Sequence, residues 1–358
     1  MGKSYYKLGF VGKLLKAIFV MNKYDRCEPG WGPSHFAALV ETFSTLSFIQ
    51  QVTVFPIDEL RFNVELATME NVLLHACGNK PDLIVFVPTG WPHIDPSRPL
   101  IGKIVGEMGI KVHMVRGDSG GPHGHDFTES WFPFVTAIGF VDMGVAHLGY
   151  QNNAKAIQAF PCLNGNYFYD KHLQRDIDVS FVGSIGNWEH RGEYLDFLRG
   201  QGIDVVARGG GEFETRISTE EYSNIINRSK ISLNFCRHRN GGYSQIKGRV
   251  LDILGCRTCL IEDEGEETKN FFEDGKDFVM VRSKEEMVEK VRYYLSHDAE
   301  REAIAQSGYQ KVREVYTSAN LWTYLLEKLG FLIPEYLGRE NGYRELKRNL
   351  ETIREKND

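Results

Sequence analysis

Apolar residues along this chain gather in short runs of roughly four to eight, the length of buried strands. Between those runs they recur at the three-to-four spacing of helices. KAIFVM (16–21), QVTVFPI (51–57), DLIVFVP (82–88), IKVHMVR (110–116) and VTAIGFV (135–141) read as strands. SHFAALVETFSTLS (34–47), VELATMENVLLHACG (64–78) and PLIGKIVGEMG (99–109) read as the helices that separate them. A strand that is apolar throughout is buried on both faces. The alternation therefore predicts a parallel sheet with helices on either side.

The pattern pauses and then restarts. AFPCLNGNYFYDKHLQR (159–175) is rich in turn formers and weakly periodic, so it reads as a link. DIDVSFVG (176–183), IDVVAR (203–208), KISLNF (230–235), TCLIE (258–262) and DFVMVR (277–282) then read as strands. Helices are predicted over 190–202, 220–229, 244–255 and 267–275, and again over 283–296, 298–315 and 318–329. The class is α/β, with two doubly wound halves followed by C-terminal helices. The predicted division is 1–165, 166–330 and a charged helical tail over 331–358. In such sheets ligands bind beyond the carboxyl ends of the strands.

Composition narrows this picture in three ways. A length of 358 residues suits two domains of about 150 residues each. A net charge of −6 supplies no general attraction to nucleic acid or to an acidic membrane surface. Six scattered cysteines fit reduced thiols better than a disulfide framework. No apolar run approaches the roughly 20 residues needed to cross a bilayer. The basic, apolar start MGKSYYKLGFVGKLLKAIFVM is broken by Lys13 and Lys16 and reads as a lead-in to the first strand. A cytoplasmic protein, free or peripheral to a membrane, is expected.

The loops that follow the strands carry the candidate chemistry. In FVGSIGNWEHR (181–191), Gly183 and Gly186 open a loop before a helix, where free N–H groups attract phosphate; a plain β–α turn explains it as well. The three glycines of ARGGGEFETR (207–216) could line a nucleotide or simply flex. In QIKGRVLD, Lys247 and Arg249 stand at the first turns of a helix. The helix dipole disfavours cations there unless an anion binds. Asp252, three residues on, could accept ribose hydroxyls, though a surface helix with i,i+3 pairing gives the same pattern. Cys256-Arg-Thr-Cys259 has no further soft ligand nearby and reads as packing. The acidic run from Glu262 to Glu267 reads mostly as surface.

In the first half, GDSGGPHGHDF (117–127) places Asp118, His123, His125 and Asp126 after a strand. They could bind a metal, deprotonate a hydroxyl, or merely decorate a loop. EPGWGPSHF (28–36) offers Gly30, Trp31 and Gly32, with the indole available to stack on a sugar or base. Asp176-Ile-Asp178 has the DxD spacing of metal-dependent sugar transferases, but it precedes its strand and so falls at the wrong end of the sheet.

Six blocks in order carry a resemblance: DVSFVGS, then HRGEYLDFL, KISLNF, QIKGRVLDILGCRTCLIED, FFEDGKDFV and EMVEKVRYYLSHDAEREAIAQSGYQKV. Residues 176–325 resemble the C-terminal domain of GT-B glycosyltransferases, in particular the CgeB-like (spore maturation) group of glycosyl transferases group 1. The resemblance implies two Rossmann-like domains facing across a cleft. The second would hold a UDP- or GDP-linked sugar and the first a hydroxyl acceptor (glycan, lipid, protein or small molecule). It implies no metal and no separate cofactor. Gly183, Ser184, Arg191 and Gly209 would lie at the diphosphate or sugar, Lys247 and Arg249 would neutralise phosphates, and Asp252 would take the ribose. Gly30, Trp31 and Gly32 would face the acceptor. If configuration inverts, a base must come from His123, His125, Asp126 or Asp118. Many retaining members carry two Glu eight apart; here the later is Asp252 and the earlier is Ser244, so the usual donor-sugar contact is altered. The rival readings are a nucleotide-sugar 2-epimerase, a non-catalytic nucleotide-sugar-binding protein, and a transferase acting on modified DNA bases.

Overall fold

In the computed structural model, the described residues are 14–24, 37–117, 124–185, 189–209, 217–237, 246–331, 333 and 340–355. Their strands form two wholly parallel sheets. The first contains β1 (Leu15–Met21), β2 (Ile49–Pro56), β3 (Leu83–Phe86), β4 (Lys111–Arg116), β5 (Ala137–Phe140) and β6 (Ala156–Gln158), in the order β2-β1-β3-β4-β5-β6. The second contains β7 (Ile177–Val182), β8 (Val205–Arg208), β9 (Ser229–Phe235), β10 (Cys259–Asp263) and β11 (Val279–Val281), in the order β11-β10-β9-β7-β8. Each sheet grows outward once and then doubles back. The strand order therefore reverses between β1 and β3 and again between β7 and β9. A crevice opens at such a reversal because the connections leave toward opposite faces.

The helices follow the predicted spacing: α1 (Ala37–Ser44), α2 (Ile57–Asn63), α3 (Leu66–Cys77), α4 (Arg98–Gly106), α5 (Gly124–Glu129) and α6 (Gly144–His147) accompany the first sheet. Beyond them come α7 (Glu189–Gly200), α8 (Thr219–Arg228), α9 (Gly248–Gly255), α10 (Lys284–Ser296), α11 (Asp298–Glu314), α12 (Ser318–Lys328) and α13 (Glu340–Glu355). Several start on a hydroxyl that takes up an otherwise unpaired N–H. Ser97, Ser218, Ser283 and Thr317 accept from Leu100, Glu221, Glu286 and Asn320.

Three expectations change. The helix predicted from 244 starts at Gly248, with Lys247 as its N-cap; 244 and 245 lie outside the described residues. The helix predicted over 267–275 shrinks to one 3₁₀ turn, Thr268–Asn270. There Asp277 accepts from Glu273 N at 2.9 Å, and Gly275 turns the chain at φ +78. Short α2, α5, α6 and the three-residue β6 were not anticipated.

The C-terminal helices return to the first sheet. Trp322 of α12 is buried against Phe43 and Phe19, with ring centroids 4.8 and 6.1 Å away, and its Nε1 donates to Thr42 Oγ1 at 3.1 Å. Leu346, Leu350 and Ile353 of α13 are buried, and Arg354 donates to the carbonyls of Gln151, Asn153 and Ala156 at 2.8–3.0 Å. On the other side His147 Nε2, beyond β5, donates to Glu267 Oε1, beyond β10, at 2.5 Å. The carboxyl edges of the two sheets thus face each other. No helix of the described residues is long and apolar enough to cross a membrane.

Candidate donor-binding site

The site begins where β7 ends. Gly183 N donates to Arg208 O at 2.9 Å, which fastens the loop after β7 to the end of β8. Gly209, turning at φ +80, backs onto it so closely that a Cβ there would lie 3.3 Å from Gly183 N. Arg249, in the first turn of α9, reaches across from the β9 side. Its Nη1 donates to Asn234 Oδ1 at 2.6 Å, and its guanidinium carbon stands 5.0 Å from the Phe181 ring centroid. The guanidinium covers Gly183 directly, since a Cβ at Gly183 would fall 2.2 Å from Arg249 Nη2. Gly183 is therefore the residue that lets Arg249 lie on the switch point between β7 and β9.

Gly183→Ala should force Arg249 out of this position while leaving the strand intact. Affinity for a nucleoside-diphosphate donor should fall about tenfold, the cost of a misplaced charge-assisted hydrogen bond. Unchanged donor affinity in a folded variant, measured by calorimetry, would contradict the placement.

The other cations gather around the same ring and helix end. Arg191 of α7 is buried, donates to Ser184 O at 2.8 Å and stands 5.9 Å from Phe181. Lys247 caps α9, whose first turn offers N–H groups no helical carbonyl can satisfy. His190 beside Arg191 is pushed down to about 4 by burial and by the neighbouring Arg191 and Arg237, so it is neutral near pH 7. Asp252, three residues after Arg249, accepts from Tyr222 OH at 3.0 Å, and burial pushes its carboxyl up to about 7.

The acidic run is not a surface feature. Glu262, Asp263 and Glu267 are buried, and Glu266 is the exposed member. Glu262 Oε1 accepts from Asn234 Nδ2 at 2.5 Å; Asp263 Oδ1 accepts from Cys236 N at 2.8 Å; Glu267 Oε2 accepts from Ile246 N at 3.0 Å. Burial raises Glu262 to about 7 and Asp263 to about 6, because hydrogen bonds offset only part of the lost hydration. The sequence reading missed these acids, and with them Asn234, Tyr222, His147 and His190. The one local signal was a polar residue inside an otherwise apolar strand: Asn234 in KISLNF and Glu262 in TCLIE.

Other candidates fall elsewhere. Cys256 and Cys259 are fully buried, with thiols pushed up to about 12 by burial, as packing residues should be. Asp176 and Asp178 sit at the amino edge, paired with Arg228 and Lys230 at 2.6 and 2.5 Å. His125 and Asp126 lie exposed on α5. The His125 ring stacks on Tyr150 with centroids 5.6 Å apart, and its Nε2 is 3.9 Å from Glu129. Asp118, His123, Gly30, Trp31 and Gly32 lie outside the described residues. Among the described residues no group of three or more His, Cys, Asp or Glu is placed to hold a metal ion.

Residues 168–327 match the family model described as Glycosyl transferase-like. No curated protein matches the chain significantly in sequence. Solved structures do match in fold. HepE of Anabaena, in complex with UDP-glucose, aligns with a TM-score of 0.62 at 10% identity, over 88% of this chain and 99% of that one. Sucrose-phosphate synthase of Thermosynechococcus elongatus aligns with a TM-score of 0.58 at 8% identity, over 87% and 98%. An α1,3-fucosyltransferase aligns with a TM-score of 0.51 at 14% identity, over 99% and 94%. The fold is GT-B, and the matched segment is glycosyl transferase-like. The 2-epimerase, binding-protein and DNA-base readings are not favoured.

Proposed function

We propose that this chain is a glycosyltransferase and that it binds the diphosphate of its nucleoside-diphosphate sugar, UDP- or GDP-linked, over Gly183 and the N-terminus of α9. The observation that carries the reading is Arg249, whose guanidinium occupies the space a Cβ at Gly183 would take, at the point where strand order reverses. Arg249 and Lys247 bring charge to the phosphates, and the first N–H groups of α9 add a fixed dipole. Asp252, one turn along, takes the ribose hydroxyls.

The reaction follows from that charge distribution. An acceptor hydroxyl oxygen, held on the first domain, bonds to the anomeric carbon. The bond from that carbon to the diphosphate oxygen breaks, and its electron pair leaves with the diphosphate. Fixed cations and oriented N–H groups stabilise the charge that develops, without reorganising as they do so. The hydroxyl proton passes to a base of the first domain if configuration inverts, or to the departing phosphate if it is retained. His125 and Asp126 remain the described candidates for such a base.

Because protein cations do the neutralising, transfer should proceed without a divalent ion. Release of nucleoside diphosphate, followed in the presence of EDTA with UDP- and GDP-sugars and a hydroxyl acceptor, should match the untreated rate. Complete loss that added Mg²⁺ or Mn²⁺ restores would contradict this.

A further inference from the structure

A guanidinium can only donate hydrogen bonds, a carboxylate can only accept them, and an amide between the two has one orientation that serves both. Asn234 stands in that place. Its Oδ1 accepts from Arg249 Nη1 at 2.6 Å, and its Nδ2 donates to Glu262 Oε1 at 2.5 Å. Asn234 and Glu262 are fully buried at the carboxyl ends of adjacent strands β9 and β10, where their Cα atoms are register partners. Asn234 cannot flip without setting its NH₂ against the guanidinium, a group that only donates.

The space is shaped for that carboxylate. A Cβ at Gly265 would fall 2.5 Å from Glu262 Oε2 and 3.0 Å from the Phe278 ring. A buried acid costs several kcal/mol in lost hydration unless it is paired. Here the chain places one beside a glycine and links it by one amide to a cation 13 positions upstream in sequence.

We propose that Glu262 is the positioning residue for the donor-phosphate arginine: through Asn234 it fixes the Arg249 guanidinium over Gly183. The Phe181 ring also attracts the guanidinium, but a ring face does not align its N–H bonds as the Asn234 carbonyl does. This rests on the proposed role of Arg249 at the diphosphate. Glu262 touches neither donor nor acceptor; it acts on the reaction through the angle at which Arg249 is held.

The test is a double-mutant cycle read as donor KM, with each variant's melting temperature recorded. Glu262→Ala and Asn234→Ala, which cut the two links separately, should each raise donor KM about tenfold. On an Arg249→Ala background neither should raise it further. Glu262→Gln keeps an acceptor for Asn234 Nδ2 and should return donor KM to within about threefold of the parent. The proposal is overturned if a folded Glu262→Ala or Asn234→Ala variant leaves donor KM within twofold. It is equally overturned if their losses multiply in full on the Arg249→Ala background, which is what a general loss of stability would give. If Arg249→Ala alone leaves donor KM unchanged, the diphosphate reading itself has failed, and the relay with it.

Discussion

Arg249→Ala should lower kcat about 10²–10³-fold, the scale seen when one preorganised group that stabilises a developing charge is removed. The side chain is half-buried on the surface of Gly183, and its loss empties no core cavity. The variant should therefore fold, with stability lowered by no more than about 1–3 kcal/mol, the cost of leaving the buried Asn234 Oδ1 without its donor. Arg249→Lys should recover little of the loss. A lysine keeps the charge but lacks the planar fork that meets Asn234 on one side and a phosphate on the other. The measurement is steady-state release of nucleoside diphosphate at saturating donor. A kcat within threefold of the parent would remove Arg249 from the mechanism.

Trp322→Ala carries the second large effect, on stability. The indole is buried between β1 and α1, edge-on to Phe19 and Phe43, and its N–H is bonded to Thr42. Because α12 follows the second sheet in sequence but packs on the first domain, this side chain helps to fasten the two halves, together with the contacts of α13 and the His147–Glu267 pair. Truncation removes a large apolar surface and leaves a cavity, which together cost about 3–5 kcal/mol. A lower midpoint in urea denaturation is expected, together with a transition that splits in two as the halves uncouple. An unchanged single transition would show that the docking of α12 contributes little. Trp322→Phe keeps most of the ring contacts and should lose much less.

Long apolar runs such as DLIVFVP made the parallel strands legible, because a strand buried on both faces has no other composition. The helices over 64–78 and 283–296 were legible from their apolar spacing alone. Short elements were not. IDELRFN of α2 begins inside a stretch whose apolar residues continue β2, and β6 is three residues long, below the reach of any periodicity. The site was legible in part. Lys247 and Arg249 stood out because cations are out of place at a helix start. Gly183 stood out because a glycine ended an apolar strand. Resemblance across several blocks, rather than local physics, separated these from a surface helix.

The acidic run shows why the rest was hidden. EDEGEE has the look of solvent-facing chain, and nothing local contradicts that. Its members are buried by partners far away in sequence: Asn234 for Glu262, the Cys236 N–H for Asp263, and His147 with the Ile246 N–H for Glu267. Burial of a polar residue depends on what the fold brings to it, and those partners come from β9, from the entry to α9 and from the other domain.

The central claim is that Arg249, lying on Gly183 at the start of α9, holds the diphosphate of the donor. Calorimetric titration of the parent chain and of Arg249→Ala with UDP and with GDP tests it most directly. Binding of one of these nucleotides to the parent, weakened by about 1.5–3 kcal/mol in the variant, is the predicted result. Equal affinity in parent and variant would contradict it.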